Sequence, residues 1–204
     1  MNYANTQTTL PELVLLGIAV LLSVGASFTF YTANLTRILL LEAEYGPLET
    51  VELCLIVGCL ALFMRAYMTS CGAVRIAAGA LALLAATAFV RELDVKKLSG
   101  PEWYRWIADR GLQEILFVGM SLCIFAYLWR HRRYASDILR LLMTWYAWPL
   151  FGAGGLILAG QYIDRRLRSI DPRMGFIEVM VELLGYVFLM IAALRHLRLS
   201  RPNS

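Results

Sequence analysis

The sequence predicts an all-α, polytopic integral membrane protein whose six transmembrane helices form three helical hairpins, and three observations predict it. Hydrophobic residues make up 59% of the 204 and charged residues only 17%, with a mean hydropathy of +0.62. So much apolar surface in so short a chain calls for lipid as solvent rather than a soluble core. Six apolar runs stand apart along the chain, each of about the 17 to 25 residues that cross hydrocarbon as helix. Finally, Gly-x-x-Glu occurs at Gly46 to Glu49, Gly111 to Glu114 and Gly175 to Glu178, at nearly equal spacing and each at the mouth of an apolar run. A supersecondary unit recurring at fixed spacing is the mark of internal triplication.

The spans follow in order. The first, 11–32, comes after MNYANTQTTLPE, which has no Lys or Arg and leads to no small-residue cleavage site, so it is expected to remain rather than leave as a signal peptide. The second is 50–68 and the third 72–90. The third is dense in Ala and Gly, and the fifth, 141–163, carries Gly152, Gly154, Gly155 and Gly160; small residues let helix backbones approach, so both are expected in close helix contacts. The fourth covers 112–129. The sixth, 176–194, is rich in Leu and Phe and can afford to face lipid. The hairpins are therefore 11–68, 72–129 and 141–194 of a single transmembrane domain. Between the third and fourth spans, Ser99-Gly-Pro-Glu102 has the spacing of a capping box with proline in the opening turn. This predicts a short interfacial helix bearing Trp103, Tyr104 and Trp106, closed by Gly111.

Orientation follows from the positive-inside rule. Arg65, Arg75, Arg130, Arg132, Arg133, Arg140, Arg195, Arg198 and Arg201 fall on one side of such a topology and the other ten Lys and Arg on the opposite side, but the nine sit in the tighter segments with only Glu12 and Asp137 as acidic company. The side of the nine is expected to be the cytoplasm, with both termini there, as in a bacterial inner membrane. The net charge of +4 and the pI near 9.0 conceal the split. Arginines that flank spans anchor to headgroups and set topology, so the bilayer is the expected partner and nucleic acid is not. Cys54, Cys59, Cys71 and Cys123 lack Cys-x-x-Cys spacing and read as buried small apolar residues. His131 and His196 lie in the arginine-rich segments, away from the acidic side, which leaves no imidazole-rich zinc site.

The acidic side carries the candidate site. Each hairpin offers Asn34, Asp94 or Asp164 from its outgoing helix and Glu49, Glu114 or Glu178 from its returning helix. If the hairpins surround one centre these groups converge, with Glu52 and Glu182 one turn deeper on the same faces. A carboxylate in the first turn of a helix satisfies free N–H groups and meets the positive end of the dipole, so Glu49, Glu114 and Glu178 are explained by helix-start chemistry alone. Glu52 and Glu182 are not, because they lie past those groups, where a charge in hydrocarbon costs on the order of 2.5 to 3.5 kcal/mol. Such groups pair, face water or keep their proton. Arg91, at the end of the third span, is the expected counter-ion and can pair with Asp94 along one helix.

No Ser-His-Asp set, phosphate-cradling glycine loop or His-rich box occurs. The expected function is a non-enzymatic multi-pass protein whose exoplasmic acidic cluster binds a proton, a hard cation such as Mg²⁺ or Ca²⁺ through oxygen ligands, or a membrane-protein partner. The alternative is an enzyme on lipid or lipid-linked substrates at the exoplasmic face, using paired carboxylates with Arg91 on phosphate.

Overall fold

The computed structural model of the chain describes residues 10–32, 47–92, 112–144, 147–167, 170–171 and 174–199. Among these every regular element is helical and no strand occurs. The helices are α1 (Leu10–Thr32), α2 (Pro47–Thr69), α3 (Gly72–Glu92), α4 (Leu112–Arg130), α5 (Ala135–Leu142), α6 (Trp148–Arg166) and α7 (Met174–Leu199), with a 3-10 turn at Arg132–Tyr134. Three contain a stretch long and apolar enough to cross a membrane: Thr50–Thr69, Gly72–Arg91 and Met174–Leu199. Leu10–Gly25 and Val118–Arg130 are shorter apolar stretches. Leu13, Val20, Leu21 and Val24 of α1 and Val118, Leu122 and Phe125 of α4 are all exposed. Long apolar helices with apolar outer faces mark a membrane protein.

Local chemistry explains most boundaries. Pro11 and Glu12 occupy the opening turn of α1, where a missing N–H costs nothing and a carboxylate meets the positive helix end. The break between α2 and α3 is held by Ser70, whose N–H and Oγ both donate to the Ala66 carbonyl at 3.0 and 2.5 Å. Gly72 has φ +59° there, the left-handed conformation glycine adopts without a Cβ penalty. The fifth run does not continue as one helix from 141. It ends α5 at Leu142, Thr144 Oγ1 donates to the Leu141 carbonyl at 2.6 Å, and α6 begins at Trp148 with Pro149 in its opening turn. A proline ring clashes with the turn before it and brings no N–H, so a helix can start at position 149 but not run through it.

The residues divide into two compact units, Met1–Leu55 with Arg140–Arg195, and Ile56–Leu139 with His196–Ser204. In the first, Phe176, Met180 and Leu183 pack with Leu22, Leu48, Leu55 and Ile177, and Val187 and Ile191 pack with Ala19, Leu15 and Leu16. Although the sixth run can afford to face lipid, α7 is the most enclosed of the three candidate spans, with 56% of its apolar window inside against 28% and 39%. A helix apolar on every side can be covered on every side, and composition alone does not say which solvent covers it. In the second unit α3 packs on α4. Ala78, Ala82 and Ala85 are buried, and a Cβ at Gly79 would come 2.9 Å from Tyr127 Cζ and 3.2 Å from Tyr67 Cδ2. Small residues thus sit in close contacts, as expected of the third run. The cysteines differ from expectation: only Cys59 is buried, and Cys54, Cys71 and Cys123 are exposed thiols. Hydrocarbon outside a helix is as apolar as the packing inside, so burial exerts little selection on a thiol.

Candidate functional site

Glu52 enters the apolar core because of its register on α2. Leu48, Glu52 and Leu55 lie on one stripe, since steps of four and three residues return to the same side of a helix. Leu48 and Leu55 both pack against the cluster of Phe176, Met180 and Leu183. The residue between them is carried to the same face, and Glu52 is only 3% exposed. On α7, Glu178 and Glu182 stand one turn apart on a second stripe. Glu182 is 7% exposed and meets α6 at Gly160, where a Cβ would lie 2.5 Å from Glu182 Cγ and 3.1 Å from Oε1. Glycine at 160 is what allows the glutamate stem to lie against the α6 backbone. Carboxyls at this depth are costly unless paired, hydrogen-bonded or protonated.

Glu178 is half-buried, and Asp164 is exposed near the end of α6. Glu49 and Glu114 stand in the opening turns of α2 and α4, as helix-start chemistry requires; their side chains lie outside the described residues, as do the whole of Asn34, Asp94 and the 99–111 segment. Arg91 is half-buried in the last turn of α3. Glu52, Asp164, Glu178 and Glu182 therefore belong to the first unit, while Arg91 and Glu114 belong to the second. Among the described residues, no group of three or more His, Cys, Asp or Glu side chains is arranged to hold a metal ion.

The best-defined polar contact lies outside the predicted set. Arg195 Nε and Nη2 donate to Glu12 Oε2 at 3.2 and 3.1 Å, and the two side chains are 3% and 1% exposed. The guanidinium lies over the Trp148 ring, 5.5 Å from its centroid, and Trp148 meets Phe188 edge-on at 5.4 Å. This pair ties the start of α1 to the end of α7, two segments that share no local sequence pattern. Its one sequence signal is that Glu12 and Asp137 are the sole acids on the side of the nine arginines. In the second unit, His196 is also buried rather than solvated among arginines. Its Nε2–H donates to the Val74 carbonyl at 2.8 Å, and Phe63 packs edge-on at 6.2 Å.

Comparison with protein-family models, curated proteins and solved structures finds no match to this chain.

Proposed function

We propose that this chain is a non-enzymatic, six-span membrane protein that binds a proton, or a cation in its place, at Glu52 and Glu182. One observation carries the reading: both carboxyls are buried in a unit built from apolar helices, and ionisable groups kept at such depth usually serve a function. A proton needs a single carboxyl oxygen, whereas Mg²⁺ and Ca²⁺ ask for about six or more oxygen ligands. The neighbours of Glu52 along its stripe, Leu48 and Leu55, suit the proton better. In this reading α1, α2, α3, α4, α6 and α7 are the six spans, the starts of α2 and α7 face the exoplasm, and the arginine-rich ends face the cytoplasm. Glycine-led carboxylates at the starts of α2, α4 and α7 support an origin by triplication.

The enzyme reading is favoured by one feature. An open cleft of about 330 Å³ in the first unit is lined by Leu21, Leu22, Leu48, Phe176 and Met180, among others. Its lining suits an acyl chain, and Leu48 stands one turn before Glu52.

Glutamine has the shape of a protonated glutamate. Glu182→Gln and Glu52→Gln are therefore expected to stay folded and to melt within about 2–4 °C of the natural protein, the equivalent of about 1 kcal/mol at this chain length. If a divalent ion takes the proton's place, Mg²⁺ or Ca²⁺ raises the melting temperature of the natural protein and not of the Gln variants. A loss of about 3 kcal/mol or more in either variant, the cost of stripping a partner from a buried ion pair, overturns the reading and makes these glutamates structural anions.

A further inference from the structure

The cationic end of the second unit has one acidic residue close by in sequence, the exposed Asp137. Tyr67 at the end of α2, Gly79 near the start of α3 and Tyr127 at the end of α4 meet, and the Arg132–Tyr134 turn packs on α3. This arrangement gathers Arg65, Arg75, Arg130, Arg132 and Arg133 at one end of the unit, all exposed. No Asp or Glu occurs from 53 to 91 or from 115 to 136, and among the described residues none of the five makes an ion pair. Three are held on aromatic rings instead: Arg75 lies 4.7 Å from the Tyr67 centroid, Arg132 5.5 Å from Trp129 and Arg133 4.9 Å from Tyr134. A guanidinium stacked on a ring keeps its N–H edge outward, ready for the fork geometry that fits phosphate.

Apolar groups surround these charges. Trp129 is 62% exposed and stacks on Phe125, and Leu139 is 56% exposed. A soluble polyanion has no use for exposed Trp and Leu beside its phosphates, whereas a lipid presents phosphate and hydrocarbon together. We propose that this end of the second unit is a docking surface for anionic membrane lipids, its arginines taking headgroup phosphates and its Trp129 and Leu139 meeting the acyl region. The proposal rests on the membrane reading, and it adds a lipid preference that span-flanking arginines in general do not require.

The test uses the purified full chain, stripped of lipid in detergent and titrated with phosphatidylglycerol or phosphatidylcholine, with bound lipids counted by native mass spectrometry. Phosphatidylglycerol is expected to stay bound where phosphatidylcholine does not. A variant with R130Q, R132Q and R133Q should weaken that binding by on the order of 100-fold, from the usual gain per basic residue at an anionic surface. The matching R130K, R132K and R133K variant should keep most of it, and R165Q with R166Q should leave it unchanged. Equal retention of the two lipids, or undiminished phosphatidylglycerol binding by the Gln variant, overturns the proposal. Tighter binding of inorganic polyphosphate than of phosphatidylglycerol also overturns it and assigns the surface to a soluble polyanion. A chain that does not reconstitute into bilayers at all strikes the membrane reading itself.

Discussion

Arg195→Met is expected to lower unfolding stability by about 3–5 kcal/mol, the usual cost of removing one partner from a buried ion pair. The methionine keeps much of the apolar stem of the arginine while deleting the two donors that reach Glu12 Oε2 at 3.2 and 3.1 Å. It leaves a carboxylate that is 1% exposed without its counter-ion, and it removes the cation over Trp148. Glu12→Gln with Arg195→Met should recover most of the loss, because replacing both halves of a buried pair is often close to neutral. The measurement is a denaturant or thermal unfolding series in one detergent on the two single variants and the double variant. A single variant that costs under about 1 kcal/mol, in the range of an exposed pair, would show that the contact is wet rather than buried.

Gly160→Ala should destabilise by about 1–3 kcal/mol, the range for forcing an extra carbon into packed surroundings. The new methyl would sit 2.5 Å from Glu182 Cγ, so the glutamate stem or the helices themselves must shift. Shortening the opposing residue removes the clash, and Gly160→Ala with Glu182→Ala should be more stable than the sum of the two single effects by about 1 kcal/mol or more, as expected for residues in contact. Additive effects would mean that α6 and α7 do not meet at these residues.

Much of the helix order was legible in the sequence. The apolar runs 11–32, 72–90 and 112–129 lie within α1, α3 and α4 and share ends with them to within a few residues, because runs bounded by Pro11, Gly72 and Arg130 carry their own start and stop signals. The fifth boundary lies at Trp148 rather than 141 because Pro149 opens a helix and does not sit silently inside one. Depth also shows in sequence: Glu52 and Glu182 stand past the first turn of their helices and are buried.

Packing partners were harder to read. Glu12 and Arg195 are 183 residues apart, and no local pattern announces a contact of that range. The near-uniform hydropathy of α7 offers no stripe to separate a covered face from a lipid-facing one, so its central place could not be inferred. The proposed common centre depended on three hairpins superposing. The helix starts behind it are present, while Arg91 and Glu114 fall in a different compact unit from Glu52, Glu178 and Glu182.

Proton binding at Glu52 and Glu182 is tested most directly by labelling membranes with a hydrophobic carbodiimide, which reacts with protonated carboxyls in apolar surroundings, and locating the adducts by peptide mass spectrometry. Adducts are expected on Glu52 and Glu182, absent from the corresponding Gln variants, with Asp137 and Asp164 left unmodified because they are exposed rather than in apolar surroundings. Adducts on Asp137 or Asp164 alone, with Glu52 and Glu182 intact, would contradict a proton-binding role for the buried pair.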